Sequence, residues 1–268
     1  MTPSGITHKF GRTKRSFDPR VPHMSALLAG KVLPPPPPSK SYLTNMPTSF
    51  GMMLNDNLSD CTCAAYYHAR QVWTFNADGT EVTEPDLDVE DLYEQACGYK
   101  PQTPGAGPGG NEQHVLSFLF NTGAPIGANG QQRDKVIAFV EVDHRNSEDV
   151  KRTINDCGVA YIGFPVPPNV TPENKVWDYD PAAQMTGDGH AVVLAAYDAN
   201  GATAISWGAL YTLTWSFISH IVDEVYAIAD TSWVDAKGTT PAGLTVAELK
   251  AQMQALAAGP GEGKTAKA

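Results

Sequence analysis

Two distant segments set the strongest demand on this fold: LNDNLSDCTCAAYYHA at Leu54 to Ala69, and GDGHAVVLAAYDANGATAISWG at Gly187 to Gly208. The first puts Cys61 at the start of a predicted helix, with Ser59 and Asp60 supplying N-cap chemistry just before it. The second puts His190 at the head of a predicted strand running to Tyr197, followed by a turn at Asp198 to Gly201 and a second strand. A thiol at a helix N-terminus feels the positive end of the helix dipole, and a nearby imidazole can take its proton. A fold that used this pair would have to lay a helix against a sheet.

Cys61 and His190 lie 129 positions apart, in the order thiol then imidazole. Asn55 stands six residues before Cys61, where its amide could donate to an oxyanion; Asn57 stands six before Cys63, so this spacing alone does not choose between the thiols. Cys61 is preferred because it follows the cap directly, whereas Cys63 would face another side of the helix. On these residues the chain resembles papain-like cysteine peptidases, most closely a divergent branch of bacteria and tailed phages whose cysteine motif reads approximately N-D-x-x-G-D-C. The resemblance covers roughly residues 53–229. It implies Cys61 as nucleophile, His190 as base, Asn55 as oxyanion donor and Trp207 as a shield over the imidazole. Members of that family carry an asparagine at the head of an N-S-W-G run, and this chain has Ile205-Ser206-Trp207-Gly208. Isoleucine cannot accept an imidazole N–H, and strand alternation from Trp207 reads Ser206 as pointing away, so Ile205 marks a departure at the third catalytic position.

The remaining pattern fits an α+β chain with a helical half followed by an antiparallel β-rich half and an extended N-terminal arm. Helices are predicted from Cys61 to about Thr74, Asp88 to Cys97, Glu112 to Phe120 and Ser147 to Asn155, with strands at Lys135 to Val142, Val159 to Phe164 and Glu224 to Ile228. Trp215, Phe217 and Ile218 are expected to pack the β-rich half. The expected division is residues 1–50 as a basic, Pro-rich arm, 51–235 as the papain-like domain, and 236–268 as an amphipathic helix at Leu244 to Leu256 with a polar tail. Pro34 to Pro38 would form a stiff spacer of roughly 3 Å per residue.

A net charge of −10 argues against a general nucleic-acid binder. The first fifty residues nevertheless carry seven Lys and Arg against Asp18 alone, which suggests docking on an acidic neighbouring surface or on the chain's own body. The four cysteines show neither metal spacing nor a secreted disulfide framework, and no cofactor motif is present. No apolar run approaches membrane length, so no membrane is expected. No segment reads as an inhibitory propeptide. Two functions follow. One is a structural or accessory phage component with a degenerate Cys61/His190 site, attached through its arm to a capsid or other virion protein, with homo-oligomerisation a further expectation. The alternative is an active thiol-dependent peptidase or amidase. The expected location is a phage virion or the bacterial cytoplasm.

Overall fold

The computed structural model describes residues 8–19, 21–24, 35–127, 130–235 and 238–240; the predicted C-terminal helix and tail lie outside them. Four helices, α1 (Cys61–Asp78), α2 (Asp86–Cys97), α3 (Glu112–Asn121) and α4 (Ser147–Cys157), occur before the strand run that carries His190. That run consists of β7 (Gly189–Tyr197), β8 (Gly201–Ser206) and β9 (Ala209–Thr214), then a short helix α5 (Trp215–His220) and β10 (Glu224–Asp230). The earlier strands are β1 (Lys40–Ser41), β2 (Ala124–Ile126), β3 (Gln132–Asp134), β4 (Val136–Glu141), β5 (Ala160–Pro165) and β6 (Val176–Trp177). The main sheet has the order β4-β10-β5-β7-β8-β9-β6, with β1 also on β7 and β2-β3 forming a separate ribbon. All pairs are antiparallel except β6 with β9. This is the expected α+β architecture.

Helix α1 is the central element, packed along β7. Every residue from Cys61 to Trp73 is buried, so its polar groups need internal partners. Trp73 donates to the Cys157 carbonyl at 2.7 Å, Tyr66 to Asp230 at 3.1 Å, and Arg70 pairs with Glu84 and Asp134. Burying each large aromatic side chain contributes about 1.5–3 kcal/mol. The helix runs four residues past the predicted Thr74 and stops at Gly79, whose φ of 75° suits the left-handed cap. Helix α3 starts at Asn111, which accepts from the His114 N–H, and α4 at Asn146, which accepts from the Glu148 N–H. Phe217 and Ile218 are buried as expected, while Trp215 packs only partly against the core.

Residues 40–50, assigned to the arm by sequence, contribute β1 and the buried side chains of Tyr42, Met46 and Phe50. Residues 8–13 run between the helical part and the sheet. Lys9 N–H donates to the Asn55 carbonyl at 2.9 Å, Gly11 and Arg12 N–H to Gly189, and Thr13 N–H to Gly110.

Candidate active site

Helix α1 puts Cys61 in its first turn and β7 puts His190 at its second residue; both are 1% exposed. The backbones of Ala191, the residue after His190, and of Gly11 in the arm lie against the Cys61 thiol. Fold and sequence separation thus meet at one place.

His190 Nε2 lies 2.8 Å from Ser206 Oγ. The reading that Ser206 points away is therefore corrected, and the reason is local geometry. Across the β7–β8 ladder Leu194 pairs with Ala204 and Val193 with Ile205. Residues 190, 192 and 194 thus share a face with 204 and 206, and Ile205 faces the other side. Trp207 does not continue the alternation. Its φ is 48° and that of Gly208 is 69°, the signature of a two-residue hairpin turn between Ser206 and Ala209. The turn carries the indole back over the imidazole, with ring centroids 4.6 Å apart and planes 20° apart. Ser206 and Trp207 can then both serve His190, which strict alternation forbids.

Ser206 can accept the Nε2 proton, leaving the Nδ1 lone pair as the base. Nδ1 is buried with no hydrogen-bond partner, so imidazole and thiol are not bonded to each other in this state. Burial holds His190 down to about 3, well below its ordinary value. Burial also pushes the Cys61 thiol up to about 12, against the opposing pull of the Ala191 and Gly11 backbones. Burial thus disfavours the charged form of both groups and works against a thiolate–imidazolium pair in this state.

The arm shares in that burial with Phe164, Trp177 and Trp207 of the body, whose rings also pack on His190. Phe10 meets the His190 ring edge-on at 5.3 Å, and Trp207 Nε1 donates to the Lys9 carbonyl at 3.2 Å. Gly11 sits at the narrowest point, where a Cβ would fall 1.9 Å from the Ser59 carbonyl oxygen. On the body side, a Cβ at Gly109 would come within 2.3 Å of the Gly11 oxygen, and one at Gly189 within 2.4 Å of the Arg12 oxygen. No segment reads as an inhibitory propeptide in the sequence, yet residues 8–13 lie over the site: glycine on both sides makes room for them.

Asn55 is 2% exposed, and its amide donates to the Leu58 carbonyl and to Asp60 Oδ1, both at 3.1 Å. In this state it braces the loop before α1 rather than offering a donor to the cleft. That loop is strained, with Met53 and Leu54 at φ 52° and 66°. Cys63 faces away from His190; its sulfur lies 3.9 Å from that of Cys97. Among the described residues no group of three or more His, Cys, Asp or Glu could hold a metal, and no helix is long and apolar enough to cross a membrane.

Two expectations follow. Cys97 is half-buried and its thiol is pulled down by the hydrogen bond with Cys63, so iodoacetamide at neutral pH should label Cys97 first, with Cys61 about a hundredfold slower or more, read by peptide mass spectrometry. The second concerns acid. Unfolded histidine takes up a proton near 6.5, whereas buried His190 does so only near 3, so stability is present at neutral pH and falls as pH drops through that window. Between pH 7 and 5 this amounts to about 2 kcal/mol. Urea unfolding of His190→Gln should show a flatter pH dependence than the parent by that amount.

No protein-family model matches the chain, and no curated protein matches it by sequence. Solved structures do match in fold. Xylellain, a cysteine protease from Xylella fastidiosa, superposes with a TM-score of 0.61 at 14% identity, over 85% of this chain and 99% of that one. The cysteine protease and lectin-like domains of Cwp84 from Clostridium difficile give 0.55 at 10%, over 85% and 57%. Procathepsin L 3 of the Tenebrio molitor larval midgut gives 0.54 at 11%, over 84% and 76%. The chain therefore has the papain-like cysteine protease fold.

Proposed function

We propose that this chain is a thiol-dependent peptidase or amidase held closed by its own N-terminal segment. The observation that carries the reading is His190: a buried neutral imidazole, fixed through Nε2 by Ser206 and roofed by Trp207, with Nδ1 left without a partner beside the Cys61 strand contact. An unpaired buried nitrogen costs about 1–3 kcal/mol, and a catalytic role accounts for bearing that cost. With the arm withdrawn, Nδ1 takes the Cys61 proton and the thiolate attacks an acyl carbon. The Cys61 backbone N–H and the α1 dipole face the resulting oxyanion, and His190 returns the proton to the leaving amine. Water then repeats the sequence on the thioester.

The test uses Gly189→Ala, in which the new Cβ displaces the Arg12 carbonyl while the cleft residues remain. This variant should hydrolyse peptide amides that the parent leaves intact, and adding Cys61→Ala should return the rate to background. Equal rates with and without Cys61 would sink the proposal.

The second reading is an accessory phage component, attached to a virion protein, whose papain-like site is inert. The specific observation in its favour is the closed cleft: a thiol pushed up to about 12 and no bond between thiol and imidazole. Under that reading Gly189→Ala gains no turnover, and deleting the arm abolishes incorporation into the particle.

A further inference from the structure

Arg12 is the arm residue most deeply engaged with the body. Its guanidinium donates from Nε to Glu112 Oε2 at 2.6 Å, from Nη2 to Asp223 Oδ1 at 2.6 Å, and from Nη2 to Glu224 Oε1. The Glu112 and Glu224 side chains are fully buried, while Asp223 is 41% exposed at the mouth. Three elements build the pocket: Glu112 opens α3, Asp223 and Glu224 lead into β10, and Gly163 of β5 lines one wall. A Cβ on Gly163 would fall 2.3 Å from Arg12 Nε and 2.0 Å from Glu112 Oε2, so only glycine leaves space for a flat cation. Tyr226 holds Glu224 from behind by donating to Oε2 at 2.5 Å.

The pocket needs a cation. Buried carboxylates side by side repel, and removing their counter-charge leaves each unsatisfied. A planar fork with several N–H donors can serve carboxylates on different sides of a pocket; a single ammonium cannot reach them all in that geometry. The pocket also adjoins the candidate site, because the backbone N–H groups of Gly11 and Arg12 donate to the carbonyl of Gly189, the residue before His190, at 3.1 and 3.0 Å.

We propose that the pocket of Glu112, Asp223 and Glu224 is a guanidinium subsite of the cleft. Arg12 fills it in the closed state, and an arginine side chain of a peptide substrate, close to the bond Cys61 attacks, fills it once the arm withdraws. The substrate half rests on the hydrolase reading above; the chemistry of the pocket does not.

The full-length Arg12→Ala chain tests the pocket without any catalysis. Thermal unfolding is followed while N-acetylarginine amide is added, with N-acetylcitrulline amide as the uncharged isostere. The expected result is a saturable rise in Tm with the arginine probe alone, absent in the parent, whose pocket is filled, and absent when Glu224→Gln is added to Arg12→Ala. No saturable rise, or an equal rise with citrulline, overturns the subsite. If Arg12→Ala does not fold, the same titration on Gly189→Ala, in which Arg12 is pushed from its seat, gives the same two outcomes. Cleavage is then measured with Gly189→Ala on paired peptide amides carrying arginine or citrulline next to the scissile bond. A preference of at least about tenfold in kcat/KM for arginine is expected. Cleavage without that preference overturns the subsite. Saturable binding with no cleavage of any peptide overturns the hydrolase reading and leaves the pocket as a seat for the arm.

Discussion

Gly189→Ala should raise the alkylation rate of Cys61 by about three orders of magnitude at neutral pH. The size follows from the thiol's position: burial lifts it from 9.0 to about 12, and each unit is a tenfold loss of thiolate. Gly189 is the right place to intervene because it is a strand residue at the edge of the cleft, with no positive φ, where a Cβ would first meet Arg12, 2.4 Å from its carbonyl oxygen. Alanine there is compatible with the strand and incompatible with the seated arm. Once water and dipoles reach the helix N-terminus, the thiol returns toward its ordinary range, and the α1 dipole favours the anion further. Stopped-time iodoacetamide labelling with peptide mass spectrometry reads the change at each cysteine, and buried Cys157 serves as an internal standard. An unchanged Cys61 rate would mean that the body, rather than the arm, seals the thiol.

Arg12→Ala should be the most destabilising single change in the arm, with a loss of about 3 kcal/mol. Breaking a buried ion pair from one side leaves the remaining charges unsolvated, and here two fully buried carboxylates lose the guanidinium that bridges them. Release of the arm lets water into the pocket, which keeps the loss at the lower end of the usual range. Burial and the adjacent Glu224 both push Glu112 up against the pull of Arg12, so without the arginine Glu112 retains its proton to higher pH still. Chemical denaturation of the parent and variant at pH 7 measures the difference. A loss below about 0.5 kcal/mol, the level of a neutral surface change, would show that the ion cluster contributes nothing.

The parts of the fold visible in the sequence are those written in local periodicity and caps. The start of α1 at Cys61 could be read from the Ser59-Asp60 pair before it, the β7–β8 hairpin from the turn residues Asp198 to Gly201, and the α+β order from the sequence of segments. Gly79 and Gly98 end α1 and α2 where left-handed caps require them. The role of Ser206 was not legible, because alternation was extended through Trp207 and only the positive φ there breaks it. Gly11 and Arg12 were equally hidden. Their partners lie at Ser59, Glu112, Gly189 and Glu224, and ion pairs across such distances leave no periodic trace. The basic charge of the arm was visible; the pocket that receives it was not.

The clamp on Arg12 also orders events in time. Its partners Asp223 and Glu224 lie more than 200 residues downstream, so a chain made from its N-terminus must wait about 10–40 s after Arg12 for them to be synthesised. Contacts of such long sequence separation form late, after the local helices and hairpins. Closure of the cleft therefore cannot be completed until β10 has been made, and until then Arg12 lacks two of the carboxylates that hold it.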